Sequence, residues 1–132
     1  FMVVKVVAAV MENDGRYFIV KRPMNGQLPG KWEFPGGKME PGESPEESLR
    51  RELMEEFSIE TEVGHFIGSH EHQYEIPGLN RINLMAYRVN RISGDIVLNE
   101  HTDMAWVAPE EMLQYEFVDA DYFLVEHLRA GG

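Results

Sequence analysis

Residues 37–59, GKMEPGESPEESLRRELMEEFSI, decide how this chain reads. They carry one spaced pattern, Gly37-x5-Glu43-x7-Arg51-Glu52-Leu53-x-Glu55-Glu56-x-Ser58-Ile59, and the interval Glu40 to Glu62 holds nine of the 23 acidic residues. Ser44-Pro45-Glu46-Glu47 gives three agreeing helix-start signals: an N-cap serine, a proline at the first helical position, and a glutamate placed to close a capping box. The helix is expected to run to about Phe57. On it Glu52, Glu55 and Glu56 stand at i, i+3 and i+4, so their carboxylates leave from one face. Like charges so placed oppose the helix by roughly 0.2–0.5 kcal/mol per pair, and a bound cation reverses that sign. Leu49, Leu53 and Phe57 form an adjacent stripe that is expected to pack. The segment reads as a divalent-metal site beside a core-facing stripe.

Working outward, Lys31 to Phe34 predicts a short strand, and Pro35-Gly36-Gly37 a turn whose glycines permit positive φ and close backbone approach. Residues 3–11 (VVKVVAAVM) and 17–21 (YFIVK) predict the two arms of a hairpin closed at Glu12-Asn13-Asp14-Gly15. Residues 60–74 and 81–90 alternate as strands, joined near Pro77-Gly78-Leu79-Asn80 and followed by a turn at Ser93-Gly94-Asp95. Met104 to Val107 predicts another short strand, Pro109-Glu110-Glu111-Met112 starts a short helix, and 121–128 predicts a closing helix with Asp119 a candidate cap. With no repeat, low-complexity tract or linker, the expectation is one α/β (α+β) domain over 1–132, a sandwich around mixed sheet.

At 132 residues with 43% hydrophobic content the chain can bury a real core. The absence of cysteine excludes a disulfide framework, a thiolate metal site and a cysteine nucleophile, and suits a reducing compartment. No apolar run approaches the roughly 20 residues of a membrane span and no leader pattern opens the chain, so a cytoplasmic place is expected. Phe1 ahead of Met2 reads as an appended residue before a natural start. A formal charge of −11 argues against binding duplex nucleic acid, whose affinity comes largely from cations on phosphates. A single nucleotide is another matter, because Lys21, Arg22, Lys31 and Lys38 stand just ahead of the acidic segment.

Mg²⁺ and Mn²⁺ take hard oxygen donors and share substrate phosphates with a few carboxylates. The glutamate cluster supplies such donors, and another carboxylate in the array could serve as base for an attacking water.

The spaced segment resembles the signature of the Nudix hydrolases, matching it at Gly37, Glu43, Arg51, Glu52, Leu53, Glu55, Glu56 and Ile59, with Trp32-Glu33-Phe34-Pro35-Gly36-Gly37 ahead of it. Ser58 stands where that signature has glycine, a position expected to end the helix in a left-handed turn. The resemblance implies a sheet-helix sandwich in which Glu52, Glu55, Glu56 and the Gly37 carbonyl contact Mg²⁺ or Mn²⁺, while Arg51, Glu43 and Gly36 brace loop and helix. Likeness to the MutT-like branch extends over nearly the whole chain. It implies Glu100 as a further acidic ligand or base, Arg22 and Arg81 as contacts to phosphate or base, and Asp121 as a reader of the nucleobase edge. Glu52, Glu55, Glu100 and Arg51 form the implied catalytic set, with Glu52 the first choice of base and Glu100 the second.

Trp32-Glu33-Phe34 and the segment Pro109 to Tyr115 look most like pyrophosphohydrolases of cytidine nucleotides and of oxidised or methylated dNTPs. The implied reaction is Mg²⁺-dependent hydrolysis of a nucleoside or deoxynucleoside triphosphate to the monophosphate and pyrophosphate. A nucleoside-diphosphate sugar or dinucleotide hydrolase, and a nucleotide sensor without turnover, are the alternatives. Phe34 and Trp32 could stack on a base or pack in the core, and Met85, Met104 and Met112 read as core filler. His70 and His72 share a strand face but lack a third ligand at useful spacing, and read as exposed strand histidines. Monomer and homodimer stay open.

Overall fold

Residues 3–78 and 80–132 are described by the computed structural model; the readings of Phe1, Met2 and Leu79 lie outside them. The first strand, β1 (Val3–Val10), is buried on both faces from Val7 onward. Ala8 and Val10 pack into one apolar cluster with Leu124, Val125 and Leu128, whereas Val7, Ala9 and the following Met11 pack into another with Leu49, Leu53 and Phe57. The period-two alternation of a strand therefore feeds two cores at once. Burial at these positions is worth about 1.5–3 kcal/mol for each large side chain.

After β1 come β2 (Glu12–Asn13), β3 (Arg16–Lys21), β4 (Trp32–Glu33), β5 (Gly36–Lys38), α1 (Pro45–Phe57), β6 (Glu60–Gln73), β7 (Arg81–Ser93), β8 (Asp103–Val107) and α2 (Tyr122–Arg129). One sheet has the order β5-β1-β7-β6, with β1 and β7 parallel and the outer pairs antiparallel. The other sheet is built on β3, which pairs with β2, β4 and β8. In β3, Tyr17 and Ile19 join the α2 cluster while Phe18 and Val20 join the α1 cluster. The result is the expected α/β sandwich with mixed sheet, α1 on one face and α2 on the other. Among the described residues no helix is long and apolar enough to cross a membrane.

Several expectations are corrected. The predicted hairpin between 3–11 and 17–21 forms only next to its turn: β2 pairs with β3 through Glu12 opposite Tyr17 and Asn13 opposite Arg16, and the Phe18 N–H donates to the Met11 carbonyl at 3.1 Å. β1 is instead taken into the other sheet, because a strand apolar on both sides is best covered between β5 and β7 with a helix over each face. Gly36 and Gly37 lie in β5, not in a turn, paired with Ala8 and Val7. Asp119 caps nothing; it opens a 3-10 turn, Asp119–Asp121, and α2 begins without a side-chain cap. Met112 is buried as expected, yet Met104 is 40% exposed.

Candidate active site

The acidic helix starts as its sequence demands. The Ser44 N–H donates to Glu47 Oε1 at 2.9 Å and the Glu47 N–H donates to Ser44 Oγ at 3.1 Å, closing the capping box. At the other end Ser58 is left-handed, φ 60° and ψ 33°, and its N–H donates to the Met54 carbonyl at 3.0 Å. The carbonyls left over at that terminus are met by a loop from far along the chain. The Asn99 backbone N–H donates to Glu56 O at 3.0 Å, the Val97 N–H to Phe57 O at 2.9 Å, and Asn99 Nδ2 to Glu55 O at 2.9 Å. This capping carries the neighbouring Glu100 to the site, a role for Asn99 that lone-residue reading misses.

Arg51 is the hub of the acidic unit. Its Nε and Nη2 donate to the two oxygens of Glu43 at 2.6 and 2.9 Å, and its Nη1 donates to Glu52 at 2.8 Å and to Glu55 at 3.1 Å. Nη2 also reaches the Lys38 carbonyl at 3.2 Å, tying helix to β5. Its hydrogen bonds to Glu43, then Glu52, raise the Arg51 pKa further, and in return the guanidinium holds the Glu43 carboxyl down to about 2, helped by the Glu40 N–H that donates to Glu43 at 2.8 Å. Arg51 thus both braces the loop through Glu43 and makes the i,i+4 pair with Glu55.

The three glutamates expected on one face behave differently. Glu52 lies against Gly37, whose missing side chain leaves room for the carboxylate. Gly36 is equally required, since a Cβ there would strike the Val7 carbonyl across the β1–β5 pair. Glu55 is turned outward, its side chain 57% exposed on Arg51. Glu56 is buried, and its Oε1 has no hydrogen-bond partner. Its pKa is pushed up to about 10, first by burial, then by a hydrogen bond with Glu52 and by the charges of Glu52, Glu100 and Glu33. Among the described residues no three His, Cys, Asp or Glu side chains are already drawn together as a metal-holding set. The cause is visible: Arg51 has taken Glu52 and Glu55. The donor chemistry still fits a hard divalent ion, because a buried carboxylate oxygen without a partner, next to a second carboxylate, is relieved by a cation.

Glu56 lines a cleft of about 310 Å³ that also includes Gly37, Glu100, Arg22, Phe34 and Asp121. Arg51, Glu43, Glu52 and Glu55 are not among its lining residues, nor is Arg81, the first residue of β7, although its neighbour Ile82 is. In the same lining Asp121 is buried and its Oδ2 accepts the Phe34 N–H at 2.8 Å. Burial above all, then the charge of Glu33, pushes the Asp121 pKa up to about 8. Tyr74 also lines the cleft: its hydroxyl accepts the Ala120 N–H at 3.1 Å, and burial pushes its own pKa up to about 12. Phe34 is both cleft wall and core, stacked on Phe117 with centroids 5.6 Å apart. Trp32 instead packs edge-on against Tyr115.

Glu33 and His101 also line the cleft; His101 lies in no motif, and Glu33 stood in the Trp32-Glu33-Phe34 segment without a role assigned to it. The His70 and His72 rings are half-buried rather than exposed, against Phe123 and Tyr74 respectively. A larger cleft of about 550 Å³, bordered by Met11, Asn13, Arg91 and Trp106, holds none of the signature carboxylates.

Comparison with known proteins places these features in company. The NUDIX domain family matches residues 2–128. A CTP pyrophosphohydrolase of Escherichia coli strain K12 is 42% identical over 127 residues, covering 96% of this chain and 92% of that protein. The nucleoside triphosphatase NudI of Escherichia coli O81 is 34% identical, covering 84% of this chain and 86% of that protein. Among solved structures, the solution structure of the E. coli ORF135 protein superposes with a TM-score of 0.84 at 41% identity, covering 98% of this chain and 91% of that one.

Proposed function

The chain belongs to the NUDIX domain family, and on that premise we propose that it is a nucleoside triphosphate pyrophosphohydrolase, turning an NTP or dNTP plus water into NMP and pyrophosphate. The observation that carries the reading is Glu56, buried with one oxygen unpartnered beside Glu52, in the lining of the same cleft as Phe34 and Asp121. Such a lining suits a metal-bound diphosphate beside the carboxylates and a base against the Phe34 ring.

Glu52, Glu56 and the Gly37 carbonyl would hold Mg²⁺, or Mn²⁺, with Glu55 recruited from Arg51 and Glu100 added from its loop. When bound, such an ion neutralises phosphate charge, polarises phosphorus and acidifies a water. Glu52, held between Gly37 and Arg51, is the first choice to take the proton of the attacking water, and Glu100 the second. Arg51 acts on the reaction by fixing Glu52 and the Glu43 loop. Arg22 and Arg81 would meet phosphate or base edges, and Phe34 would offer its ring to the base. With Asp121 Oδ2 committed to the Phe34 N–H, Oδ1 is the oxygen left for the base edge. We extend the reading to one domain over 1–132, cytoplasmic, acting as monomer or homodimer on free nucleotides, without long nucleic acid or membrane.

The test is a substrate panel with Mg²⁺ and with Mn²⁺: CTP, 5-methyl-dCTP, dGTP, 8-oxo-dGTP, ADP-ribose and a diadenosine polyphosphate. Pyrophosphate release from a triphosphate is expected. Cleavage confined to the last two compounds moves the chain to the nucleoside-diphosphate-sugar and dinucleotide class, and binding without product makes it a sensor.

A further inference from the structure

A chain of contacts, part-buried at His101 and Glu33 and exposed at Gln27, runs along the cleft wall from Phe57 to Gln27. The His101 ring, its side chain 5% exposed, stacks on Phe57 with centroids 5.4 Å apart and planes at 15°. His101 Nε2 lies 2.8 Å from Glu33 Oε2, the other oxygen of Glu33 accepts Arg22 Nη1 at 3.0 Å, and Arg22 Nε donates to the Gln27 carbonyl at 2.9 Å. The histidine is fixed from both sides in sequence, by Asn99 on the helix terminus and by the Thr102 N–H donating to the Lys21 carbonyl at 3.0 Å. Its Nδ1 is buried without a partner, which fits a ring whose proton sits on Nε2 and is given to Glu33. Glu33 is therefore spent on the protein's own groups, and Arg22 is held in one orientation along the cleft.

We propose that His101 is a positioning residue for nucleotide binding, acting through Glu33 to hold the Arg22 guanidinium extended along the cleft wall, ready for a polar or anionic group of the bound nucleotide. The kinetic side of this inference rests on the nucleotide-hydrolase reading. The structural side does not. An unrestrained arginine loses rotamer freedom on binding and weakens affinity, whereas a guanidinium already gripped at Nε and Nη1 has little left to lose. Because the effect falls on binding and not on the attack of water, KM carries it.

The experiment compares the full chain with His101→Phe, which keeps the stack on Phe57 but donates nothing, and His101→Gln, which restores an N–H donor. Without nucleotide, ¹⁵N relaxation of the Arg22 Nε–H, assigned by its loss in Arg22→Lys, is expected to report an ordered group in the parent. It should become mobile in His101→Phe and recover in His101→Gln. With a triphosphate that the parent cleaves, His101→Phe should raise KM about tenfold with kcat within about threefold, and His101→Gln should recover most of the loss. Unchanged Arg22 order and unchanged KM in folded His101→Phe overturn the proposal while leaving the hydrolase reading standing. A parent that cleaves no nucleotide overturns the hydrolase reading, and the relaxation comparison still decides the role of His101. If His101→Phe does not fold, His101→Leu, which also donates nothing to Glu33, carries the same relaxation test: Arg22 loosened supports the proposal, and Arg22 unmoved refutes it.

Discussion

The carboxylate of Glu52 occupies the space that a side chain at Gly37 would fill. A methyl group there must push Glu52 aside, and the neighbour that yields is the end of a flexible side chain, not backbone. Gly37→Ala is therefore expected to fold with a stability change under about 1 kcal/mol. Its kcat should fall about a hundredfold, because a base displaced by an ångström is badly aligned. Pyrophosphate release and a thermal melt on the same preparation check both halves.

Glu56→Gln keeps shape and removes the buried carboxyl whose pKa is pushed up to about 10. Turnover should drop by about a thousandfold at saturating Mg²⁺, with the fold intact. Near-parental hydrolysis would remove Glu56 from the reaction.

Arg51 holds the Glu43 carboxyl down to about 2 from an ordinary 4.5. A depressed carboxyl stabilises the fold fully above its unfolded pKa, and that contribution is lost as pH falls towards the folded value. Arg51→Lys keeps the charge but not the fork that grips both Glu43 oxygens. Acid unfolding followed by circular dichroism should shift to higher pH, and an unmoved midpoint would contradict the bracing role.

Asp121 has the opposite sign. Its pKa rises from 3.8 to about 8, so the folded protein keeps a proton that the unfolded chain gives up across that interval. Its contribution to stability is complete below about pH 4 and declines as pH rises to about 8. Asp121→Asn has no such proton, so its melting temperature should change less than the parent's between about pH 5 and pH 8. Parallel profiles would show that Asp121 is ionised in the fold.

Ser58 is left-handed at φ 60°, a conformation that costs an L-residue about 1 kcal/mol relative to glycine. Against this, its Oγ accepts an exposed hydrogen bond from Asn99 Nδ2 at 3.1 Å. Ser58→Gly is expected to gain a fraction of 1 kcal/mol in denaturant titration. Turnover should be nearly unchanged, and a large loss would mean that Ser58 touches the chemistry.

Local signals in the sequence determined the capped helix over 45–57 and its Leu49-Leu53-Phe57 stripe, since each depends on residues close along the chain, whereas the left-handed stop at Ser58 and the bracing by Arg51 and Glu43 were legible only through the family resemblance. The partner of β1 was not legible, because a strand apolar on both faces fits the centre of any sheet and only the competition among β3, β5 and β7 assigned it. Nor was the division of labour among Glu52, Glu55 and Glu56: helical spacing puts them together, but burial against Gly37 and the reach of Arg51 separate them. His101 and Glu33, 68 residues apart, meet only when the loop after β7 closes over the end of α1. Contacts of that range leave no trace in spacing, since folding alone brings their ends to hydrogen-bonding distance.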